Sequence, residues 1–227
     1  MTIFTSLAAL GALLCSVSLF AQEEPSPAPT LTLAQLAEAA DLVAVVRVLD
    51  TDYQYTREFP SGGSAFLEVL IPYKVSRPLE DILEVYEEGL HAGECYFDNP
   101  SVLEEGRRHL VFLTFSEEVS GQYNGLAQGC KLEVLVTTEN RYALRYPLNG
   151  LPVADDLTAL VRELEFQDGY AVLDEEEITP PERNQLLADG HLERAGDLRY
   201  RYTRGVPLEE VRKLMGPAGL TLDRSLR

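Results

Sequence analysis

Three histidines are the side chains of this sequence that most readily bind metals or transfer protons. They are His91, His109 and His191, and their spacing matches no metal-ligand motif such as His-Glu-x-x-His. His109 stands where an apolar run begins, a position that favours a packed or edge side chain over a ligand. We therefore predict neither a metal site nor a histidine-based catalytic site.

The sequence also lacks the patterns of a serine hydrolase and of a nucleotide-binding enzyme. Ser61 precedes two glycines but lies in no Gly-x-Ser-x-Gly elbow. Phosphate loops and dinucleotide fingerprints are absent from the sequence too. We predict no catalytic residues and no cofactor, and we expect a protein that is not an enzyme.

The acidic stretch after Asp168 can be compared with a calcium-binding loop. Asp168-Gly169 and Glu175 match positions 5, 6 and 12 of an EF-hand, but positions 1 and 3 are Leu164 and Phe166, which cannot bind calcium. The EF-hand hypothesis therefore fails. We interpret the run Asp174-Glu175-Glu176-Glu177 as a solvated segment.

The stretch Arg199-Tyr200-Arg201-Tyr202 alternates cations with aromatic rings, as proteins that bind single-stranded nucleic acids do. A period of two also places both tyrosines on one face of a strand. The formal net charge of -18 repels a phosphate backbone. We therefore favour the strand interpretation and predict no nucleic-acid partner.

The charge is distributed unevenly along the chain. Residues from Gly190 onward carry a formal charge of +3, which leaves -21 for the rest. This basic end could offer a site to an anionic partner, but docking on the acidic body of its own chain is the simpler interpretation.

Residues 1–21 have the pattern of a secretory signal peptide. They contain no charged side chain, and the apolar run ends in Ser18-Leu19-Phe20-Ala21. We predict cleavage after Ala21 and a periplasmic or secreted protein. About 20 apolar residues can also span a bilayer, so a membrane contact is expected only if the leader is retained.

Cys95 and Cys130 are the only cysteines outside the leader, which contains Cys15. In an oxidising compartment two such cysteines pair by default. Closing a loop of about 36 residues stabilises the fold by roughly 4 kcal/mol. We predict a disulfide bond between Cys95 and Cys130.

Hydrophobic periodicity predicts a mainly β fold. A capping box of Thr32 and Gln35 starts a short helix. Strand patterns follow at 42–49, 67–75, 82–87, 110–115, 130–136 and 142–146, with turns at 60–63 and 138–140. Helical patterns lie at 157–164 behind an Asp155 cap, from Thr179 to Gly190, and from Pro207 to Gly216.

The strand pattern at 67–75 supports two finer predictions. Its apolar residues alternate with Glu68 and Lys74, which places them on one face. Pro72 cannot donate a ladder hydrogen bond, so it predicts an edge position.

The helix before the strand at 42–49 and the run Glu105-Gly106-Arg107-Arg108-His109-Leu110 resemble the domain shared by netrins and tissue inhibitors of metalloproteinases, and similar bacterial secreted proteins. The match covers Leu36 to Leu148. It is carried by Ala40, Asp41, Val43, Val48, Gly106, Leu110, Phe112 and Leu113. The resemblance implies a five-stranded barrel of the oligonucleotide/oligosaccharide-binding (OB) type.

Protease inhibition does not transfer with this resemblance. In that family a cysteine at the mature N-terminus chelates the protease zinc, whereas this chain would begin with Gln22. We do not assign the inhibitory function to it.

Four segments make up the predicted chain. They are a signal peptide at 1–21, a Pro-rich linker at 22–31, an OB-like β-barrel at 32–150 with its preceding helix, and a mostly helical extension at 151–227. We predict an exported, non-enzymatic binding or structural protein of the cell envelope, with an unknown envelope protein or ligand as partner. A protease-inhibitor-like protein and an uncharacterised hydrolase are the alternatives.

The intact mass of the exported protein tests the leader. Because the small Ala21 ends the apolar run, we expect a mature chain that begins at Gln22. Mass spectrometry of the exported fraction measures this directly. A product that keeps residues 1–21 in the membrane fraction would instead indicate an anchor.

Overall fold

The structure is a computed structural model, and it describes residues 30–90, 94–101, 105–154 and 157–216. The predicted leader, most of the Pro-rich linker, His91, the Asp155 cap and the chain from 217 onward lie outside the described residues. Leader cleavage and the segment boundaries therefore stay predictions. Among the described residues, no helix is long and apolar enough to cross a membrane.

Five strands close into a barrel that is compatible with an OB-like fold. They are β1 (Leu42–Thr56), β2 (Phe59–Val75), β3 (Ile82–Glu88), β4 (Arg108–Phe115) and β5 (Gln122–Gly125). Their order is β1-β2-β3-β5-β4, and pairing between β1 and β4 closes the ring. Only β3 and β5 run parallel, while the other neighbouring strands are antiparallel.

Helix α1 (Leu33–Ala39) precedes the barrel and starts with the predicted capping box of Thr32 and Gln35. The predicted class, a mainly β fold with a five-stranded barrel, a preceding helix and a helix near the C-terminus, is confirmed.

The remaining elements follow the barrel in the chain. They are β6 (Lys131–Val136), β7 (Tyr142–Arg145), β8 (Arg162–Glu163), β9 (Val172–Asp174), α2 (Pro180–Ala188), β10 (Leu192–Arg194), β11 (Arg199–Tyr202), β12 (Arg204–Pro207) and α3 (Leu208–Leu214). Strands β6, β7, β12 and β8 extend the sheet outward from β4, whereas β10, β11 and β9 form a separate small sheet.

Three apolar clusters hold these layers together. The barrel interior contains side chains such as Val46, Leu67 and Leu113. A second cluster packs α1 and α3 against the outer face of the extended sheet, with Phe112 fully buried in it. In the third, Leu135 of β6 meets the small sheet. Both faces of β4 are therefore buried, which explains its nearly continuous apolar sequence.

The alternation predicts that the apolar residues of β2 share one face, but the structure places them on two faces. Leu67 and Val69 face the barrel interior, but Ile71 and Tyr73 pack in the cluster around α1 and α3. Irregularities in the β1–β2 register, each adding one residue, switch the side-chain alternation. Pro72 lies where β2 pairs with β1 alone, which agrees with the predicted edge position.

The predicted turn at 60–63 is wrong, because this stretch belongs to β2. The hairpin turns at Arg57-Glu58 instead, with Arg57 at a φ of 62°. Gly63 allows β1 and β2 to lie close together, since a Cβ there would lie 2.2 Å from the carbonyl oxygen of Asp52.

The C-terminal part contains more strand than the periodicity predicts. The helix expected at 157–164 is wrong, since a single 3-10 turn (Thr158–Leu160) is followed by β8, which pairs with β12. Sheet pairing thus outweighs the local helical pattern. Helices α2 and α3 lie where they are predicted, and the hairpin loop at 138–140 is confirmed.

The predicted disulfide bond between Cys95 and Cys130 is present in the structure, with 5.6 Å between the Cα atoms. Both cysteines are buried in the barrel cluster. Cys130 does not share a face with Leu132 as predicted, because it precedes β6 and packs on the other side of the sheet. Gly125 fits beside the bridge, where an added Cβ would come within 2.7 Å of the Cys95 Cβ.

Replacing both Cys95 and Cys130 with serine tests the contribution of the bridge. The bridge limits the unfolded chain, so we expect the double variant to lose roughly 2–4 kcal/mol of stability and to melt at a lower temperature. Thermal unfolding with and without reductant measures this loss. Reductant should lower the melting temperature of the parent alone, and two free thiols in the native exported protein would contradict the bridge.

Candidate functional site

A cleft of about 860 Å³ opens between the start of β4, the β6–β7 hairpin and the segment that leads into the small sheet. We call it the polar cleft. It is lined by Glu105, Arg107, Arg108, Val136, Asn140, Tyr142, Gln167, Asp168, Gly169, Tyr170, Val172, Asp174, Glu177 and Arg199. Its volume lies within the usual range for small-molecule sites.

Asp168 organises one wall of the polar cleft. Its side chain is only 5% exposed and forms an ion pair with the guanidinium of Arg108 at 3.2 Å. The same carboxylate accepts hydrogen bonds from the backbone N–H groups of Val136 and Tyr170. Two of these contacts come from β4 and β6, and the third comes from the 3-10 turn that follows Asp168. Asp168 therefore holds the segment around residue 168 against the sheet.

The ring of Tyr170 is held in place from two sides. The guanidinium of Arg107 lies 4.5 Å from the ring centre, which is a cation–π distance. The Tyr170 hydroxyl donates a hydrogen bond of 2.6 Å to the carbonyl oxygen of Glu105. The half-buried ring thus forms a fixed aromatic part of the wall.

The rim of the polar cleft carries amides and one further ion pair. Gln167 Nε2 lies 3.4 Å from Asn140 Oδ1, and both side chains are exposed. Arg199 pairs with Asp174 at 3.1 Å. Glu177 accepts a hydrogen bond of 2.7 Å from the backbone N–H of Asp174.

A buried ionic network lies behind the polar cleft. The Glu133 carboxylate contacts Arg107 at 2.9 Å and Arg145 at 3.1 Å. Arg145 also donates a hydrogen bond of 2.8 Å to the Tyr202 hydroxyl. Because β6, β7, β11 and the residue before β4 each supply a member, the network joins the extended sheet to the small sheet. Removing one partner of such a buried pair typically costs about 3–5 kcal/mol.

His109 is the buried histidine next to this network. It faces Glu133 in the strand register, and its ring contacts Phe97 edge-on with 5.4 Å between centres. Neither ring nitrogen has a hydrogen-bond partner among the described residues. Burial, followed by the charges of Lys131, Arg107 and Arg145, holds the pKa of His109 well below its usual value. The imidazole is therefore neutral at neutral pH.

Lys131 is the second titratable group in this region. Its ammonium donates to the carbonyl of Tyr96 and lies 4.8 Å from the ring centre of Phe97. Burial lowers the pKa of Lys131, although Asp98 and Glu133 oppose that shift. Lys131 thus anchors the segment that carries Cys95 to the sheet.

The other residues considered in the sequence do not meet in this cleft as a reactive set. His191 lies against Tyr146, with 5.1 Å between ring centres. Ser61 is at the β1–β2 hairpin, where its hydroxyl bonds the carbonyl of Gln54. No group of three or more His, Cys, Asp or Glu side chains among the described residues could hold a metal ion.

The acidic run is largely exposed, as predicted, with Asp174, Glu176 and Glu177 exposed and Glu175 half-buried. Asp174 pairs with Arg199, Glu175 with Arg183, and Glu177 caps a 3-10 turn. The strand interpretation of Arg199 to Tyr202 is confirmed, since both tyrosines of β11 are buried and both arginines exposed. The described part of the basic end packs through the buried side chains of Leu192, Tyr200 and Tyr202, and its strand β12 pairs with β7.

Sequence reasoning missed Arg107, Arg108 and Tyr170 as site residues. The adjacent arginines both line the polar cleft but have different partners, since Arg107 contacts Glu133 and Arg108 contacts Asp168. The available signal was a pair of cations placed directly before a buried strand. The partners Glu133 and Asp168 are remote in sequence, and only the fold brings them together.

A second cleft, of about 900 Å³, lies beside β3, β5 and the end of β4. We call it the acidic cleft. Its charged lining consists of Asp41, Glu87, Glu88, Glu117 and Glu118, without a lysine or arginine. It therefore lacks the charge balance of the polar cleft.

Comparison with known proteins gives no assignment. No protein-family model matches the chain, and neither a curated protein nor a solved structure shows significant similarity to it.

Replacing His109 with phenylalanine tests the buried imidazole. Because the pKa of His109 is lower in the folded protein, the unfolded chain binds a proton first as the pH falls. The stability that the neutral His109 contributes to the folded protein is fully present above about pH 6.5. As the pH falls below this value, the free energy of unfolding decreases by up to about 1.4 kcal/mol per pH unit. We expect the variant to lose less stability than the parent between about pH 6.5 and pH 5.

Urea unfolding at several pH values measures this difference. His191→Phe is the matched control, because His191 is only half-buried and its pKa is lowered less. Parallel pH profiles of the parent and His109→Phe would show that His109 is not a buried neutral group.

Proposed function

We propose that this chain is an exported binding protein of the cell envelope, without enzymatic activity, whose ligand occupies the polar cleft. The fixed geometry of the cleft walls is the observation that carries this proposal. Asp168, Arg108, Arg107 and Tyr170 are each held by at least two contacts before any ligand is present. A site of this kind binds without a large cost for ordering its side chains.

The position of the reactive side chains supports binding over catalysis. Cys95 and Cys130 are joined to each other and buried. His109 lies behind the ionic network, outside the lining of the polar cleft. The Ser61 hydroxyl takes part in hydrogen bonds with Thr56 and with the carbonyl of Gln54 in the β1–β2 hairpin. The cleft itself offers arginines, carboxylates, amides and tyrosines, which are groups that hold a polar ligand by hydrogen bonds.

Export is supported by two independent features. The uncharged leader with its small residue at position 21 predicts secretion. The buried disulfide bond fits an oxidising compartment, where such bonds persist.

A fragment screen by NMR tests the binding proposal while the ligand is still unidentified. A chemically diverse set of polar fragments would be added to the isotope-labelled exported protein. Because hydrogen-bonding groups converge in the polar cleft, we expect the shifted amide signals to concentrate at residues 136–142 and 167–174. Hits that cluster at the acidic cleft, or spread without a focus, would contradict the proposal.

Two matched variants define the site in this screen. Asn140→Ala combined with Gln167→Ala changes two exposed amides of the polar cleft. Glu117→Ala combined with Glu118→Ala changes two exposed side chains of the acidic cleft. We expect the first pair to weaken fragment binding and the second to leave it unchanged. Turnover of a fragment at the cleft would argue for an enzyme.

A further inference from the structure

Each arginine of the polar cleft already has an acidic partner, whereas Glu177 forms no ion pair with a described residue and accepts a hydrogen bond from the backbone of Asp174. Arg108 is paired with Asp168 and Glu105, and Arg199 with Asp174. Arg107 contacts Glu133 and Asp98, both outside the lining. An anionic ligand would have to break one of these pairs and leave a carboxylate unpaired, which is costly for the buried pair of Arg108 and Asp168. The polar cleft therefore disfavours an anionic ligand.

The remaining hydrogen-bonding groups are planar and come in donor–acceptor pairs. The contact between Gln167 and Asn140 uses one donor and one acceptor. The amide NH₂ of Asn140 and the carbonyl oxygen of Gln167 have no other partner among the described residues. Neighbouring groups of this kind match adjacent hydroxyls, each of which donates and accepts.

Aromatic rings supply the apolar component of the polar cleft. Tyr170 and Tyr142 are both half-buried, and Tyr170 is fixed by Arg107 and by the Glu105 carbonyl. Such rings present flat apolar faces with a polar tip. A ring held in place also loses little conformational entropy when a ligand packs against it.

From these features we propose that the polar cleft binds an uncharged oligosaccharide. A sugar ring carries adjacent hydroxyls on its edge and C–H groups on its face, so one ligand satisfies both the amides and the tyrosines. The volume of about 860 Å³ admits more than one sugar unit. This inference rests on the proposed binding function and specifies its ligand class.

An extended peptide fits the polar cleft less well. The strand edge nearest to the cleft belongs to β9, one of the two outer strands of the small sheet. Only three residues of β9 are extended, because 3-10 turns flank the strand on both sides. So short an edge gives a peptide few main-chain hydrogen bonds.

Titration of the labelled exported protein with defined hexamers tests the proposal. The uncharged probes are maltohexaose, cellohexaose and N-acetylated chitohexaose. Hexagalacturonate, a chitosan hexamer and a neutral Ala-Ser-Gly hexapeptide are the comparators. We expect saturable shifts at 136–142 and 167–174 with at least one uncharged sugar, and affinity unchanged between about 50 and 500 mM salt because no counterions are released.

The same paired variants provide the controls. Asn140→Ala with Gln167→Ala should weaken sugar binding at least tenfold, whereas Glu117→Ala with Glu118→Ala should not change it. Tyr170→Phe keeps the ring but removes the hydroxyl that bonds the Glu105 carbonyl. Because the ligand is expected to pack on the ring, this variant should retain most of the affinity.

The two proposals can fail separately. If fragments occupy the polar cleft but no uncharged sugar shifts its signals, the sugar inference is wrong and the binding function stands. Preference for a charged sugar or for the peptide at this cleft overturns the sugar inference as well. If neither fragments nor sugars bind there, both proposals fall.

Discussion

Strand β4 is the element on which the rest of the structure depends. One edge pairs with β1 along Leu42 to Arg47, and the other is shared between β5 and β6. This shared edge lets a single sheet close as a barrel and still continue outward. Because both faces of β4 are buried, its side chains join the barrel interior to the layer under α1 and α3. Arg108 at its start and Arg107 directly before it both line the polar cleft.

The ionic network shows how charge can be buried inside an acidic protein. Glu133 lies between Arg107 and Arg145, so one carboxylate is shared by two guanidinium groups. Desolvation of such groups is expensive, and the network is therefore weak support for stability. Its geometric effect is clearer, since it fixes the start of β4, β6 and β7 relative to Tyr202 of the small sheet. The cleft walls take their shape from this alignment.

Much of the fold could be predicted from local patterns, whereas the site could not. The capping box at Thr32, most of the longer strands and the disulfide bond depend on composition and period, and these predictions are confirmed. The four-residue strand β5 escapes prediction, because Gln-Tyr-Asn-Gly has no apolar alternation and is positioned by its neighbours. Arg108 and Asp168 lie 60 residues apart, so no spacing rule joins them. The resemblance to the netrin and metalloproteinase-inhibitor domain agrees with the barrel, and no family match supports the narrower assignment.

The late pairing of β4 has a consequence for the newly made chain. Strand β1 is synthesised first and forms a hairpin with β2, but its other edge waits for a partner roughly 60 to 70 residues further along. Until β4 arrives, the apolar edge of Val43, Val45 and their neighbours is open to pairing with other chains. Because β1 and β4 are far apart in the sequence, the newly made chain can aggregate through this edge until the barrel closes. Slower closure of the barrel lengthens that time.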